Sequence, residues 1–163
     1  MHAVEEKKLC IMHVEDEETR RADLATIIEH YWPYPKPDLV AFTSAEDAIK
    51  HIQKGDAPKP DIIISDYDLK KGGAHMNGVE FAMRLDELGI KKTFILASTH
   101  GWGEIYDANI KKFPMLQSAP FKDLPITAYC NGKGWDVIKP VLKNIFPHIF
   151  RDGGSMTRNA PQS

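Results

Sequence analysis

Four acidic residues directly follow two short apolar segments and carry the clearest chemical signal in the chain. Glu15 and Asp16 follow the first segment, and Asp66 and Asp68 follow the other. A carboxylate at the end of an apolar segment costs free energy unless a partner compensates its charge. Neighbouring carboxylates also raise each other's pKa, and a hard divalent cation such as Mg²⁺ removes that repulsion. The pattern therefore indicates a metal site, and Asp66 can also act as a nucleophile that forms an aspartyl phosphate.

The elements that must position these residues follow from hydrophobic periodicity. Short, mostly apolar segments predict strands at 9–14, 39–43, 60–65, 93–97 and 126–130. Apolar residues at helical spacing predict helices at 19–32, 44–55, 78–89, 103–113 and 136–146. Ser44 is the expected N-cap of the second helix, with Asp47 completing an acidic variant of the capping box. The alternation predicts an α/β fold, a doubly wound five-stranded parallel sheet with helices on both faces.

Polar residues also follow the last two predicted strands. Ser98 and Thr99 follow strand four, and either Lys133 or, later, Lys139 follows strand five. Ligands of such sheets bind at the carboxyl ends of the strands, so these residues and the acidic ones should share one cleft. A lysine and a hydroxyl beside a carboxylate nucleophile would hold phosphoryl oxygens. The cleft is therefore expected to bind a metal ion and to accept a phosphoryl group at Asp66.

Three motifs and one strand end resemble the receiver domain of bacterial response regulators, in the CheY-like superfamily. The motifs are VEDE (14–17), DIIISDYDL (61–69) and MNGVE (76–80), and the strand end is Ser98. The resemblance covers about residues 8–146. It implies the flavodoxin-like strand order 2-1-3-4-5. It also implies one receiver domain over residues 1–150.

The resemblance further implies a role for each site residue. Asp66 is the phosphoacceptor, and Ser98 is the hydroxyl that turns toward the phosphoryl group. Glu15, Asp16 and Asp66 hold Mg²⁺, with the backbone carbonyl of Asp68 as a further ligand. Family members take the phosphoryl group from a histidine kinase or a histidine phosphotransfer protein and lose it slowly by hydrolysis. We therefore expect a two-component signalling protein, not an enzyme with turnover; no motif names its downstream partner.

Two lysines compete for the place beside the phosphoryl group. A Lys-Pro pair like that of the family favours Lys139. Taking the segment ITAYC as strand five instead puts Lys133 just past the strand end and lets Asp136 cap the last helix. It also makes Tyr129 the aromatic switch residue. We prefer Lys133, and Lys139 stays as the alternative.

Two departures from the family pattern leave other functions open. The segment KKGGAH lengthens the loop at 70–75, and Thr99 occupies a position that a smaller residue usually holds. A degenerate receiver that binds a partner without phosphorylation therefore remains an alternative. A haloacid-dehalogenase-like phosphatase would use Asp66 as nucleophile and Asp68 as general acid. It is disfavoured because that family places its second acidic pair downstream of this motif, whereas here the pair lies upstream.

Composition argues against several other classes. The 163 residues carry a formal net charge of -2, so there is no basic excess to bind nucleic acid. The apolar runs are too short for a membrane span, and the N-terminus lacks an apolar signal core. Cys10 and Cys130 suggest neither a disulfide framework nor a metal motif, which favours a reducing, cytoplasmic location. Residues 151–163 have little apolar content, so we expect a disordered tail and a stand-alone receiver.

Overall fold

The computed structural model describes residues 8–33, 35–55, 58–69, 76–116, 121 and 123–150. The strands are β1 (Cys10–Val14), β2 (Asp38–Phe42), β3 (Ile62–Ser65), β4 (Thr93–Ser98) and β5 (Ala128–Asn131). The helices are α1 (Glu18–Tyr31), α2 (Ala45–Gln53), α3 (Gly78–Glu87), α4 (Trp102–Asn109) and α5 (Trp135–Ile145). The lengthened loop at 70–75 and the expected tail at 151–163 lie outside the described residues, so both predictions stand untested. No helix in the described part of the chain combines the length and apolar content needed to cross a lipid bilayer.

The five strands form one parallel sheet in the order β2-β1-β3-β4-β5, which confirms the predicted fold class and strand order. The register pairs Val14 with Ser65, Ser65 with Leu96, and Ser98 with Asn131. The residues that follow β1, β3 and β5 therefore meet at one edge of the sheet, beside the end of β4.

Two apolar cores cover the two faces of the sheet. Successive side chains of a strand point to opposite faces, so Met12 of β1 joins one core and Ile11 joins the other. The first core packs against α2, α3 and α4, and the second packs against α1 and α5. The three central strands, β1, β3 and β4, are buried on both sides, as parallel strands under helices must be, and the edge strands β2 and β5 are partly exposed. This sandwich fixes the sheet edge that carries the polar residues.

The N-terminal caps of the helices agree only in part with those predicted from the sequence. Ser44 is the N-cap of α2, and its Oγ accepts a hydrogen bond from the backbone N–H of Asp47 at 3.1 Å. The reciprocal capping box lies instead at α3, between Asn77 and Glu80. The prediction that Asp136 caps the last helix is wrong, because extended Gly134 holds the N-cap position. Asp136 lies in the first turn of α5, where the helix dipole favours a carboxylate.

Gly78 is the first residue of α3 and lies against the residues that follow β3. Its backbone N–H donates to the carbonyl of Tyr67 at 2.7 Å. A Cβ at Gly78 would lie 2.4 Å from the carbonyl oxygen of Asp66 and 2.6 Å from Cδ1 of Leu96. Only glycine therefore lets α3 begin so close to Asp66. Gly103, inside α4, has no atom within 4 Å of such a Cβ.

We predict that Gly78→Ala lowers the free energy of unfolding by about 1–3 kcal/mol, because the new methyl group meets a backbone oxygen that cannot move freely. Gly103→Ala is the matched control and should be neutral or stabilising by about 0.5–1 kcal/mol, since alanine is favoured inside helices. Urea unfolding of both variants provides the measurement. Equal stability of the two would contradict the close approach at Gly78.

Candidate functional site

Three carboxylates meet at the carboxyl edge of the sheet. Glu15 and Asp16 follow β1, Asp66 follows β3, and one carboxylate oxygen from each lies within 4.8 Å of the others. The backbone hydrogen bond from Asp66 to the carbonyl of Val14, at 3.0 Å, fixes the relation between the two strand ends. The sequence predicted that these residues meet, and the structure brings them together.

Lys133 supplies positive charge to this group of carboxylates. Its Nζ lies 2.8 Å from Oε1 of Glu15 and 3.0 Å from Oδ2 of Asp66. It reaches them from the turn after β5. Lys139 lies on the exposed side of α5. Of the two lysines that the sequence left open, the structure therefore brings Lys133 into the site.

Glu15 is the most deeply buried of the three acids, with 1% of its surface exposed. Burial raises the pKa of Glu15 to about 7; the nearby charge of Asp66 adds to the rise, while the hydrogen bond from Lys133 opposes it. The three carboxylates lie close enough to repel one another, and Lys133 offsets part of that charge. A divalent cation with oxygen ligands fits this donor set, because carboxylates are the side chains that Mg²⁺ and Mn²⁺ prefer.

Asp66 is buried yet lies at a cavity of about 470 Å³. Its Oδ1 accepts a hydrogen bond from the backbone N–H of Tyr67 at 2.7 Å, and its Oδ2 pairs with Lys133. The cavity is lined by Asp16, Glu17, Arg20, Asp66, Asp68, Thr99, His100 and Lys133. Asp66 therefore borders a polar cavity.

Asp68 and Thr99 are exposed and line the same cavity. The group of three close carboxylates does not include that of Asp68 among the described residues. The resemblance assigns the backbone carbonyl of Asp68, not its side chain, to the metal, so this prediction stays open.

Ser98 and Tyr129, the two expected switch residues, both contact the backbone of His100. Oγ of Ser98 accepts a hydrogen bond from the N–H of His100 at 3.0 Å, and the Tyr129 hydroxyl donates to the carbonyl of His100. Sequence reasoning missed His100 and Arg20 as cavity residues. His100 could have been identified from the sequence, because it lies two residues after the end of β4, where ligand-contacting residues are expected.

A buried polar network ties the residue after Asp66 to two helices. Nδ2 of Asn109, in α4, donates to the hydroxyl of Tyr67 at 2.9 Å and to the carbonyl of Ile105 at 2.8 Å. Asn77, the N-cap of α3, donates to Oδ1 of Asn109 at 3.2 Å. Asn109 is 4% exposed, so these bonds are costly to break. The network holds the segment that carries Asp66 against α3 and α4.

A second cavity, of about 710 Å³, lies between α1, the sheet and α5 and reaches Asp66 and Lys133. Its walls include Ile64 and His13. Burial lowers the pKa of His13 to about 4, with smaller contributions from the positive charges of Lys133 and Arg21, so its imidazole stays neutral at neutral pH.

No protein-family description matches the sequence, and no curated protein matches it.

Comparison by structure gives consistent matches. The signal receiver domain of an HD domain-containing protein from Pseudomonas fluorescens matches with a TM-score of 0.64 and 16% identity, covering 90% of this chain and 93% of that one. The phosphorylated cyanobacterial phytochrome response regulator RcpA matches with a TM-score of 0.59 and 18% identity, covering 88% and 94%. The Mn²⁺-bound response regulator Rcp1 matches with a TM-score of 0.60 and 15% identity, covering 88% and 96%. The chain therefore has the fold of response regulator receiver domains.

Proposed function

We propose that this protein is a response regulator receiver that accepts a phosphoryl group on Asp66 with the help of a divalent cation. The observation that carries the proposal is the convergence of Glu15, Asp16, Asp66 and Lys133 at one sheet edge. Three carboxylates and a lysine around an open cavity match what phosphoryl transfer to a carboxylate requires.

Glu15, Asp16 and Asp66 are the residues that would hold the cation, which we assign as Mg²⁺. A bound cation supplies positive charge that offsets the repulsion between the carboxylates and the incoming phosphoryl oxygens. The donor set is all oxygen, which suits Mg²⁺ or Mn²⁺. A Mn²⁺-bound receiver with a similar fold supports this assignment.

The transfer step uses a carboxylate oxygen of Asp66 as nucleophile. The oxygen attacks the phosphorus of a phosphohistidine or of acetyl phosphate, and the bond from phosphorus to the donor breaks with its electron pair leaving on the donor. The products are an acyl phosphate on Asp66 and the free imidazole or acetate. Before transfer the Tyr67 N–H and the Lys133 ammonium group hold the carboxylate in place.

The added charge gives the site a means of switching. A phosphoryl group on Asp66 would compete with Glu15 for the ammonium group of Lys133. It would also attract the hydroxyl of Ser98. Ser98 can turn only by giving up its bond to His100, whose carbonyl also holds Tyr129. The change would therefore pass to the surface around α4 and β5.

The expected partners and role follow from this chemistry. The donor would be a histidine kinase or a histidine phosphotransfer protein in the cytoplasm, and a downstream protein would read the changed surface. The chain would act as a phosphoacceptor, without turnover of a small phosphate ester.

We predict that incubation with acetyl phosphate and Mg²⁺ adds one phosphoryl group to the wild-type chain, because Asp66 is the nucleophile and the cation offsets its charge. Intact-protein mass spectrometry measures the adduct. Asp66→Asn and removal of Mg²⁺ with a chelator should each abolish it. Asp38→Asn removes an exposed acid of β2 and should leave it unchanged.

The same experiment separates the alternative functions. A folded wild-type chain that takes no phosphoryl group would contradict the proposal and favour a degenerate receiver that binds partners without phosphorylation. Steady release of phosphate from a small ester, lost in Asp68→Asn, would indicate a haloacid-dehalogenase-like phosphatase instead.

Metal binding should depend on pH, because the cation must replace the proton that Glu15 retains below a pKa of about 7. Affinity for Mg²⁺ should rise with pH, and the dissociation constant should fall about tenfold between pH 6 and pH 8 if one proton leaves. Calorimetric titrations in that range test this. Glu15→Gln should weaken binding and flatten the pH dependence, and an unchanged slope in this variant would remove Glu15 from the ligand set.

We predict that Lys133→Ala uncouples phosphorylation from the surface change, whereas Lys139→Ala does not. Lys133 contacts Asp66, and Lys139 lies on the exposed side of α5. Amide NMR spectra before and after phosphorylation provide the measurement, with shifts near His100 and Tyr129 reduced at least about twofold in Lys133→Ala. The opposite ranking would assign the role to Lys139.

A further inference from the structure

The second cavity, between α1, the sheet and α5, is not used by the function proposed above. Its volume of about 710 Å³ lies within the range of small-molecule binding sites, roughly 300–1,000 Å³. Apolar side chains from three elements form part of its walls: Leu24 and Ile27 of α1, Ile64 of β3 and Ile138 of α5. Walls of this kind can bury the apolar part of a small organic molecule.

His13 places its side chain in this cavity. Successive side chains of β1 alternate between the two faces of the sheet. Met12 and Val14 join the core on the side of α2, α3 and α4, whereas Ile11 joins the core on the side of α1 and α5. The side chain of His13 therefore points toward α1 and α5, where it lines the cavity beside Ile64, its register partner in β3.

One nitrogen of the His13 imidazole has no hydrogen bond. His13 is 6% exposed, and its Nδ1 is buried without a partner among the residues that the structure describes. A buried polar atom that lacks a hydrogen bond costs free energy, so a ligand group that pairs with Nδ1 is favoured. Water suits this position poorly, because a buried water needs several polar partners and Ile64 is the neighbour of His13 in β3.

The charged residues around the cavity favour a neutral ligand. Lys133 already pairs with two carboxylates of the candidate metal site. Glu17, Arg20 and Asp23 line the cavity from the side of α1, and Glu17 and Arg20 form an ion pair at 3.6 Å. A ligand with a full charge would have to break these pairs or stay without a partner in a partly buried space, and both cost free energy.

We propose that the second cavity binds a neutral, mostly apolar small molecule whose hydroxyl group pairs with Nδ1 of His13. A hydroxyl group both donates and accepts, so it can pair with Nδ1 in either tautomer of the imidazole. The apolar part of the molecule packs against Leu24, Ile64 and Ile138. An aromatic alcohol such as 2-naphthol has this chemistry. The inference goes beyond the proposed function, because binding here needs neither a phosphoryl group nor Mg²⁺.

The test is an NMR titration of the full chain with 2-naphthol, in the absence of Mg²⁺ and of any phosphodonor. Labelled isoleucine methyl groups report where the probe binds. We expect saturable shifts at Ile27, Ile64 and Ile138, with a dissociation constant of about 1 mM or lower. Ile52 and Ile105 lie in the core on the other face of the sheet and should not shift.

Variants of the chain separate binding in the cavity from adsorption to the surface. His13→Phe keeps a ring but removes the nitrogen, so it should weaken binding at least about threefold through loss of one hydrogen bond. Ile27→Trp adds side-chain volume at a partly exposed position of α1 that lines the cavity, and it should also weaken binding. His148→Phe alters an exposed histidine after α5 and should bind like the wild type.

Three results would overturn this inference. They are the lack of saturable shifts in the folded wild type up to about 1 mM probe, equal shifts at Ile52 and Ile105, and equal affinity of wild type and His13→Phe. If His13→Phe does not fold, unchanged affinity in Ile27→Trp overturns the inference instead. A chain that binds 2-naphthol as expected but takes no phosphoryl group from acetyl phosphate would support this inference and contradict the proposed function.

Discussion

The ion pairs that Lys133 forms with Glu15 and Asp66 are the constraint on which the site depends. They join the ends of β1, β3 and β5, and they place one ammonium group between two carboxylates that are almost removed from water. Burying such charges is costly unless each finds a partner. Burial raises the pKa of Glu15 to about 7, and the charge of Asp66 adds to that rise. A bound cation would therefore lower the repulsion between the carboxylates beside Asp66, the proposed phosphoacceptor.

Other contacts of the fold hold the segment that carries Asp66 in position. The absence of a side chain at Gly78 lets α3 begin against the Asp66 backbone, and the hydrogen bonds of Asn109 hold Tyr67 from the other side. The segment that carries Asp66 is thus fixed by backbone and side-chain contacts within the fold. Preorganisation of this kind lowers the cost of reaching a reactive geometry.

Much of this could be predicted from the sequence because it depends on local patterns. Buried parallel strands have short apolar sequences, so the polar residues that follow them could be assigned to one edge of the sheet from the sequence. Choosing ITAYC as a strand was enough to favour Lys133 over Lys139. The contacts of His100 could not be predicted in this way, because they join residues from β4, α4, β5 and the segment after β3. The Asn109 network depends likewise on how α3 and α4 pack. The N-cap of α5 was misassigned because glycine and aspartate both suit that position.

Locating the phosphoryl group in the sequence is the most direct test of Asp66 as the phosphoacceptor. Borohydride reduces an acyl phosphate to the alcohol, so a phosphorylated aspartate becomes homoserine, which peptide mass spectrometry can place in the sequence. After treatment with acetyl phosphate and Mg²⁺, we expect homoserine at position 66, with Glu15, Asp16 and Asp68 unmodified. Modification at any of those three positions, or a phosphoryl group held on a histidine, would contradict Asp66 as the acceptor.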